Sequence, residues 1–149
     1  MPKDQLDVQD AVNAGCPLKN RYDNFIGGTF KAPNAGRYFE NVSPMTGGPI
    51  GEIARSDASD VEDALDAAHA ASDAWGKTSV TDRANALMKV AQVMEDNIHT
   101  LALAETWDNG KPIRETTLAD MALGIDHFRY FASVIRAQEG SMGELDNDT

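Results

Sequence analysis

The sequence predicts a short β-hairpin region followed by three or four amphipathic helices. Two observations point there. Between Arg21 and Ala54, short runs of strand-forming residues are broken by Gly, Pro and Asn turn signals. From Ser59 onward, apolar residues recur every three or four positions, with capping residues ahead of them.

Taken in order, Met1 to Asn20 is a polar lead-in. Val8, Ala11 and Val12 support one weak helical turn, and Gly15-Cys16-Pro17 breaks it. This segment is expected to be mobile or docked on another part of a larger protein. Arg21 to Phe30 holds the first strand candidate, with Tyr22, Phe25 and Ile26 as strand formers and Gly27-Gly28 as a turn signal. Lys31 to Gly36 reads as a loop. Arg37 to Val42 is the second strand candidate. Ser43 to Pro49 is turn chemistry throughout, and Ile50 to Ala54 is the third strand, so this pair forms a β-hairpin with a longer loop.

Ser59-Asp60-Val61-Glu62 matches a capping box and opens the first helix. Val61, Leu65, Ala68, Ala71 or Ser72, and Trp75 form its narrow apolar stripe, and Gly76 ends it. Ser79 to Asp82 opens a second helix in the same way. Its buried stripe is Leu87, Val90, Ala91 and Met94, and the pattern resumes through Ile98, Leu101 and Ala104 after a bend at Asp96-Asn97. The last helix runs from about Glu115 to Arg136. Leu118, Met121, Ile125, Phe128, Ala132 and Ile135 give it the best amphipathic pattern in the chain. Gly124 inside it costs about 1 kcal/mol relative to Ala unless close packing uses the missing side chain. Gly140 is the expected stop. The strands are too few to close a sheet, and an edge left in water is a pairing liability. That is a physical hint that the chain belongs against more polypeptide.

A chain of 149 residues fits one domain, and its apolar content of 42% is compatible with a globular fold. The net charge of −11 disfavours nucleic acid and anionic membrane as partners. No run of apolar residues is long enough to span a bilayer, and the N-terminus lacks the apolar core of a secretory signal. Cys16 is the single cysteine, so no internal disulfide can form, which suits a cytoplasmic location.

Local chemistry is sparse. Cys16 has no neighbour that would clearly activate a thiolate, and reads as an incidental tail cysteine. His69, His99 and His127 are too widely spaced for a local metal motif and read as surface or boundary residues. Gly47-Gly48-Pro49-Ile50-Gly51 lacks the glycine spacing and the following helix of a dinucleotide fingerprint. Gly110-Lys111 is followed by Pro112, where a P-loop needs Ser or Thr.

One stretch is more specific. In Ala104-Glu105-Thr106-Trp107-Asp108-Asn109-Gly110-Lys111-Pro112, Asn109-Gly110 supplies the positive φ that stops a helix, and Pro112 prevents continuation. This run, with Ile113-Arg114-Glu115-Thr116 after it, resembles the N-terminal part of the aldehyde dehydrogenase superfamily, bacterial acetaldehyde dehydrogenases above all. Tyr22-Asp23-Asn24-Phe25-Ile26-Gly27-Gly28 and Ile125 to Ala132 agree with it, in the right order.

The resemblance implies an α/β fold and the oxidation of a small, acetaldehyde-like aldehyde to its carboxylic acid with NAD or NADP. In that family a cysteine thiolate attacks the carbonyl, hydride passes to the nicotinamide, and a glutamate-activated water releases the acid. An asparagine and the cysteine amide hold the oxyanion. None of these residues has a match here, so the chain is expected to carry no catalytic or cofactor-binding residue, to bind no cofactor by itself and to be inactive alone. The resemblance places residues 1–20 as a lead-in, 21–138 in the N-terminal helical part of the cofactor-binding domain and 139–149 at the start of the oligomerisation segment. It associates Asp108 and the main-chain carbonyls of Asn41 and Val42 with a monovalent cation, one further ligand lying outside this chain. Turn capping is the competing role for Asp108. The helix around Phe128 to Phe131, with Phe128 and Phe131 foremost, is implied in the substrate entrance. Ordinary core packing is the competing role for Phe128. The implied partners are the remainder of the dehydrogenase chain and further subunits of a homo-oligomer. The alternative is a free-standing small acidic helical protein that binds a partner through exposed helix faces.

Overall fold

The structure is a computed structural model, and it describes residues 13–143. The helical turn expected at Val8, Ala11 and Val12 lies outside the described residues, as does the tail beyond residue 143. Five short strands come first: β1 (Arg21–Tyr22), β2 (Asn24–Ile26), β3 (Thr29–Lys31), β4 (Tyr38–Val42) and β5 (Pro49–Ala54). They make a three-stranded sheet of order β1-β5-β4 and a separate β2-β3 hairpin.

The expected first strand, Arg21 to Phe30, is split. Gly27 and Gly28 take φ values of 59° and 82°, the paired left-handed conformation of a tight hairpin turn. The chain therefore folds back at once, pairing Phe25 with Phe30 and Asn24 with Lys31, so Lys31 is strand rather than loop. The β4-β5 hairpin forms as expected, with Phe39 opposite Ile53 and Asn41 opposite Gly51. The register then shifts, so that Val42 faces Pro49 and Ile50 is the extra residue of a bulge. Glu40 and Glu52 face each other, a like-charge pairing. Arg21, in register with Glu52 on the far side, offsets it: its Nε donates to Glu52 Oε2 at 2.9 Å and its guanidinium stacks on the Tyr38 ring at 4.3 Å. The hydrogen bond to Glu52 raises the Arg21 pKa further above its ordinary value.

Helix α1 (Ala58–Gly76) begins two residues earlier than the Ser59 box predicts. Asp57 is the cap. Its carboxylate accepts from the Ser59 amide at 3.0 Å, and Asp60 accepts from the Asp57 amide at 2.9 Å. This box wins because Asp60 also accepts from the Asn34 amide at 2.8 Å, which ties the preceding loop to the helix. The hydrogen bond from the Ser59 hydroxyl holds the Asp57 pKa below its ordinary value. The α1 stripe does not face a core: Val61, Leu65 and Trp75 are 54%, 47% and 55% exposed, and Asp60 is the helix's one buried residue. The helix is held at its ends and against the β2-β3 hairpin, where a Cβ built on Gly27 would lie 3.9 Å from Ala67 Cβ. Asn34 Nδ2 donates to Ser59 and Asp63 at one end. At the other, Arg83 donates to the Trp75 and Gly76 carbonyls and to Thr78 Oγ1.

Helix α2 (Val80–Asp96) is capped by Ser79, whose Oγ accepts from the Asp82 amide at 3.0 Å, as expected. It gives way at Asn97 to α3 (Ile98–Asn109), which stops at Gly110 with φ 79°. A single turn, α4 (Ile113–Glu115), runs through a π-helical segment, Thr116–Asp120, into α5 (Met121–Ala137). Helices α2 and α5 pack face to face. Small residues allow the close approach: Ala84, Ala91 and Ala132 are buried, with Ile125 at 4% exposure. A second small cluster joins Ala102 and Ile113, with Leu103 and Met121 packed against it.

The stripe expected on the last helix holds from Met121 to Ile135, but Leu118 is 64% exposed. A π turn has more residues per turn than an α turn, so the face that Leu118 would have shared passes to Thr116, which is fully buried. On α2, Leu87 and Met94 are half-buried while Val90 is exposed. A Cβ built on Gly124 would meet Met94 Cε at 3.6 Å, an ordinary contact. Gly124→Ala is therefore expected to gain helix propensity without a clash. A thermal melt of the chain should show it more stable by roughly 0.5–1 kcal/mol.

Candidate functional site

The turn that ends α3 is wrapped by its own side chains. The Asn109 amide donates to Glu105 Oε1 at 2.6 Å and its carbonyl oxygen accepts from the Lys111 amide at 2.8 Å. The Gly110 amide donates to the Thr106 carbonyl at 3.0 Å. Lys111 Nζ reaches Asp120 at 2.7 Å, and this bond raises the lysine pKa above its ordinary value. Below the turn, the buried hydroxyls of Thr106 and Thr116 meet at 3.0 Å. Thr116 donates to the Ile113 carbonyl, so the proton between the two threonines comes from Thr106.

Strand β4 and its following turn dock on this structure. Asn41 Nδ2 donates to Asp108 Oδ1 at 2.5 Å. Fully buried Ser43 donates its hydroxyl to the Trp107 carbonyl. Pro44 lies against Gly110, where an added Cβ would come within 3.0 Å of it. Between the three-stranded sheet and helices α2, α3 and α5 is a cleft of about 560 Å³. Tyr22, Ile53, Met94, Leu101 and Met121 make it mostly apolar, and Asn41, Glu105 and Asp108 supply its polar side.

The structure thus brings together two of the three residues singled out for a cation, Asn41 and Asp108, across 67 positions of sequence. Val42 follows Asn41 on β4 with a 49% exposed side chain. Phe128 is half-buried on α5, and Phe131 is 53% exposed, in edge contact with Tyr130 at 5.2 Å between centroids. Neither phenylalanine lines the cleft. His69, His99 and His127 are exposed and Cys16 is half-buried. Among the described residues, no three His, Cys, Asp or Glu side chains are grouped to hold a metal ion. Gly47 to Gly51 form the β4-β5 turn and run into a strand, so they offer no helix N-terminus and do not fit a dinucleotide phosphate. Sequence reasoning missed Ser43. It stands in a run of turn residues, and nothing local distinguishes a serine that bonds to a distant helix.

Compared with family models, residues 30–149 match the aldehyde dehydrogenase family. The chain belongs to the aldehyde dehydrogenase family. It is 61% identical to an aldehyde dehydrogenase of Paracoccus denitrificans over all of its length and 29% of the relative's. It is 58% identical to an acetaldehyde dehydrogenase of Pseudomonas aeruginosa, over 89% of this chain and 26% of that one. Among solved structures, it is similar to an indole-3-acetaldehyde dehydrogenase of P. syringae in complex with NAD+ and IAA. The TM-score there is 0.82 at 29% identity, covering 94% of this chain and 28% of that one. The fold class is the family's α/β, with short strands leading into helices, as the resemblance implied. The chain spans less than a third of the length of either curated dehydrogenase. Among the described residues, no helix is long and apolar enough to cross a membrane.

Proposed function

We propose that this chain is the N-terminal portion of an NAD(P)-dependent aldehyde dehydrogenase that oxidises a small, acetaldehyde-like aldehyde to its carboxylic acid. The observation that carries this reading is the 58% identity to an acetaldehyde dehydrogenase, which spans most of the chain but only 26% of that relative. The outward apolar stripe of α1 supports it, since a face of that kind is stable once more polypeptide covers it. In this reading, residues 21–138 are the helical part of the cofactor-binding domain, and 139–149 lead into an oligomerisation segment of a cytoplasmic homo-oligomer. Phe128 and Phe131 line the approach to the substrate. Asp108 and the main-chain carbonyls of Asn41 and Val42 hold a monovalent cation, a hard ion suited to oxygen ligands. Residues beyond this segment would hold the nicotinamide coenzyme, which would supply a hydride acceptor. The chain's own residues set the shape around the site.

A free-standing interaction module is the competing reading, and the exposed α1 face is the feature in its favour. A sharp, cooperative melt of the dilute chain would favour the module. The direct test is turnover. The chain alone, given acetaldehyde and NAD or NADP, is expected to produce no reduced coenzyme. Co-expressed with the remaining polypeptide of the Paracoccus relative, it is expected to restore activity. Turnover by the chain alone, or no activity from the pair where the intact relative is active, overturns the reading.

A further inference from the structure

We infer that the groove between the β2-β3 hairpin and α1 seats the polypeptide that follows α5, and that the surface entering it carries apolar side chains bordered by Lys or Arg. This rests on the dehydrogenase reading above and deepens it, naming the face that meets the rest of the protein and the chemistry it asks for. An α-helix turns by roughly 100° per residue, which sorts α1 into adjacent strips. Ala67 lies on the strip against the hairpin, near Gly27. Val61, Leu65 and Trp75 form the next strip, each about half exposed. Glu62, Asp66 and Asp73 form the strip beyond, on the side away from the hairpin. Phe25 and Ile26 of the hairpin, with Val61, Ala64 and Leu65, line a groove of about 380 Å³. Of the 19 residues of α1, Asp60 alone is buried and Ala67 alone half-buried, so the helix has almost no core of its own.

Three observations choose the occupant. First, α5 ends beside this face. Arg136, the last residue but one of α5, donates to Asn85 at 2.8 Å, and Arg83, two positions before Asn85, donates to the Trp75 and Gly76 carbonyls. Polypeptide that follows α5 therefore sets out from the Trp75 end of the stripe. Second, this chain covers 29% of the Paracoccus relative, so most of such a protein is still to be placed. Third, the border is acidic. Asp73 is paired with Lys77 at 2.6 Å, but Glu62 and Asp66 make no ion pair among the described residues. Residues 56–75 contain no Lys or Arg. A second copy of the chain would bring a net charge of −11 against another −11, and like charges across an interface oppose association. Apolar side chains flanked by Lys or Arg match both the stripe and its border.

The test uses the complex of the full 149-residue chain co-expressed with the remaining polypeptide of the Paracoccus relative, purified and then diluted in a sedimentation series that gives its dissociation constant. Leu65→Glu sets a charge in the groove at a position 47% exposed, so it removes no buried packing from the chain itself. It is expected to weaken the complex roughly tenfold or more. Val93→Glu, on α2 and also 47% exposed, is expected to leave it unchanged. Glu62→Lys with Asp66→Lys is expected to weaken the complex roughly threefold at low ionic strength, and not at about 1 M salt, where screening acts within about 3 Å. Wild-type affinity for Leu65→Glu, or an equal loss in Val93→Glu, overturns the seat and leaves the dehydrogenase reading standing. Charge reversal without effect at low salt overturns the basic border. A dimer of the chain alone that Leu65→Glu abolishes gives the face to a second copy and overturns the proposal. Failure of the wild-type pair to associate overturns it together with the dehydrogenase reading.

Discussion

Gly51→Ala is expected to be the most damaging single-methyl change in the described chain, at about 3 kcal/mol. Two costs add. Gly51 has φ 156°, a conformation that residues with a Cβ rarely adopt. A Cβ placed there would also lie 2.7 Å from the Lys19 carbonyl oxygen and 3.4 Å from that of Asn20. Both neighbours are backbone, and neither swings aside as a side chain would. The Asn20 carbonyl is already engaged, accepting from the Glu52 amide at 2.9 Å. Relief requires β1 to move off β5, which takes Arg21 away from Glu52 and leaves Glu52 facing Glu40. For a chain of this size the cost corresponds to a melting temperature lower by roughly 6–12 °C. A melt within about 1 °C of wild type would mean that the close approach of β1 to β5 is not there.

Ser43→Ala is expected to cost about 2 kcal/mol, although it removes one oxygen. In an uninterrupted helix the Trp107 carbonyl would accept from the Lys111 amide, four residues on. That amide instead donates to the Asn109 side chain, in the turn that Gly110 allows. The Ser43 hydroxyl takes its place from a different part of the fold. Alanine leaves a carbonyl at a helix end without a partner in a site that water does not reach readily. Thr46→Ala is the control. Its hydroxyl accepts from the Gly48 amide at 3.2 Å in the same turn, but it is exposed, and about 0.5 kcal/mol or less is expected. Equal urea midpoints for the two variants would show that the Ser43 link contributes nothing special.

What the sequence disclosed was local. The β4-β5 hairpin, the Ser79 cap, the break at Asn97 and the stop at Gly110 each depend on a few neighbouring residues, and each was legible. The stripe from Met121 to Ile135 was legible because one face of a straight α-helix repeats at a fixed angle. Leu118 was not, because the π turn changes that angle without changing the residue types that periodicity counts. The α1 stripe shows a different limit. Spacing reveals that Val61, Leu65 and Trp75 share a side, but says nothing of what lies opposite. Asp108 was singled out through family likeness. Its bond to the Asn41 amide joins a strand to a helix end far along the chain, and no nearby residue announces it. Ser43 was hidden for the same reason.

The fastening of α1 at its tips has a consequence for assembly. Asn34 and Asp60 set one end of the helix and Arg83 the other, so its heading is fixed before anything covers the exposed stripe. A surface that closes over Val61, Leu65 and Trp75 meets a rail already laid. Little conformational freedom remains to be lost at that step, and the apolar area gained there goes almost entirely into holding the two pieces together.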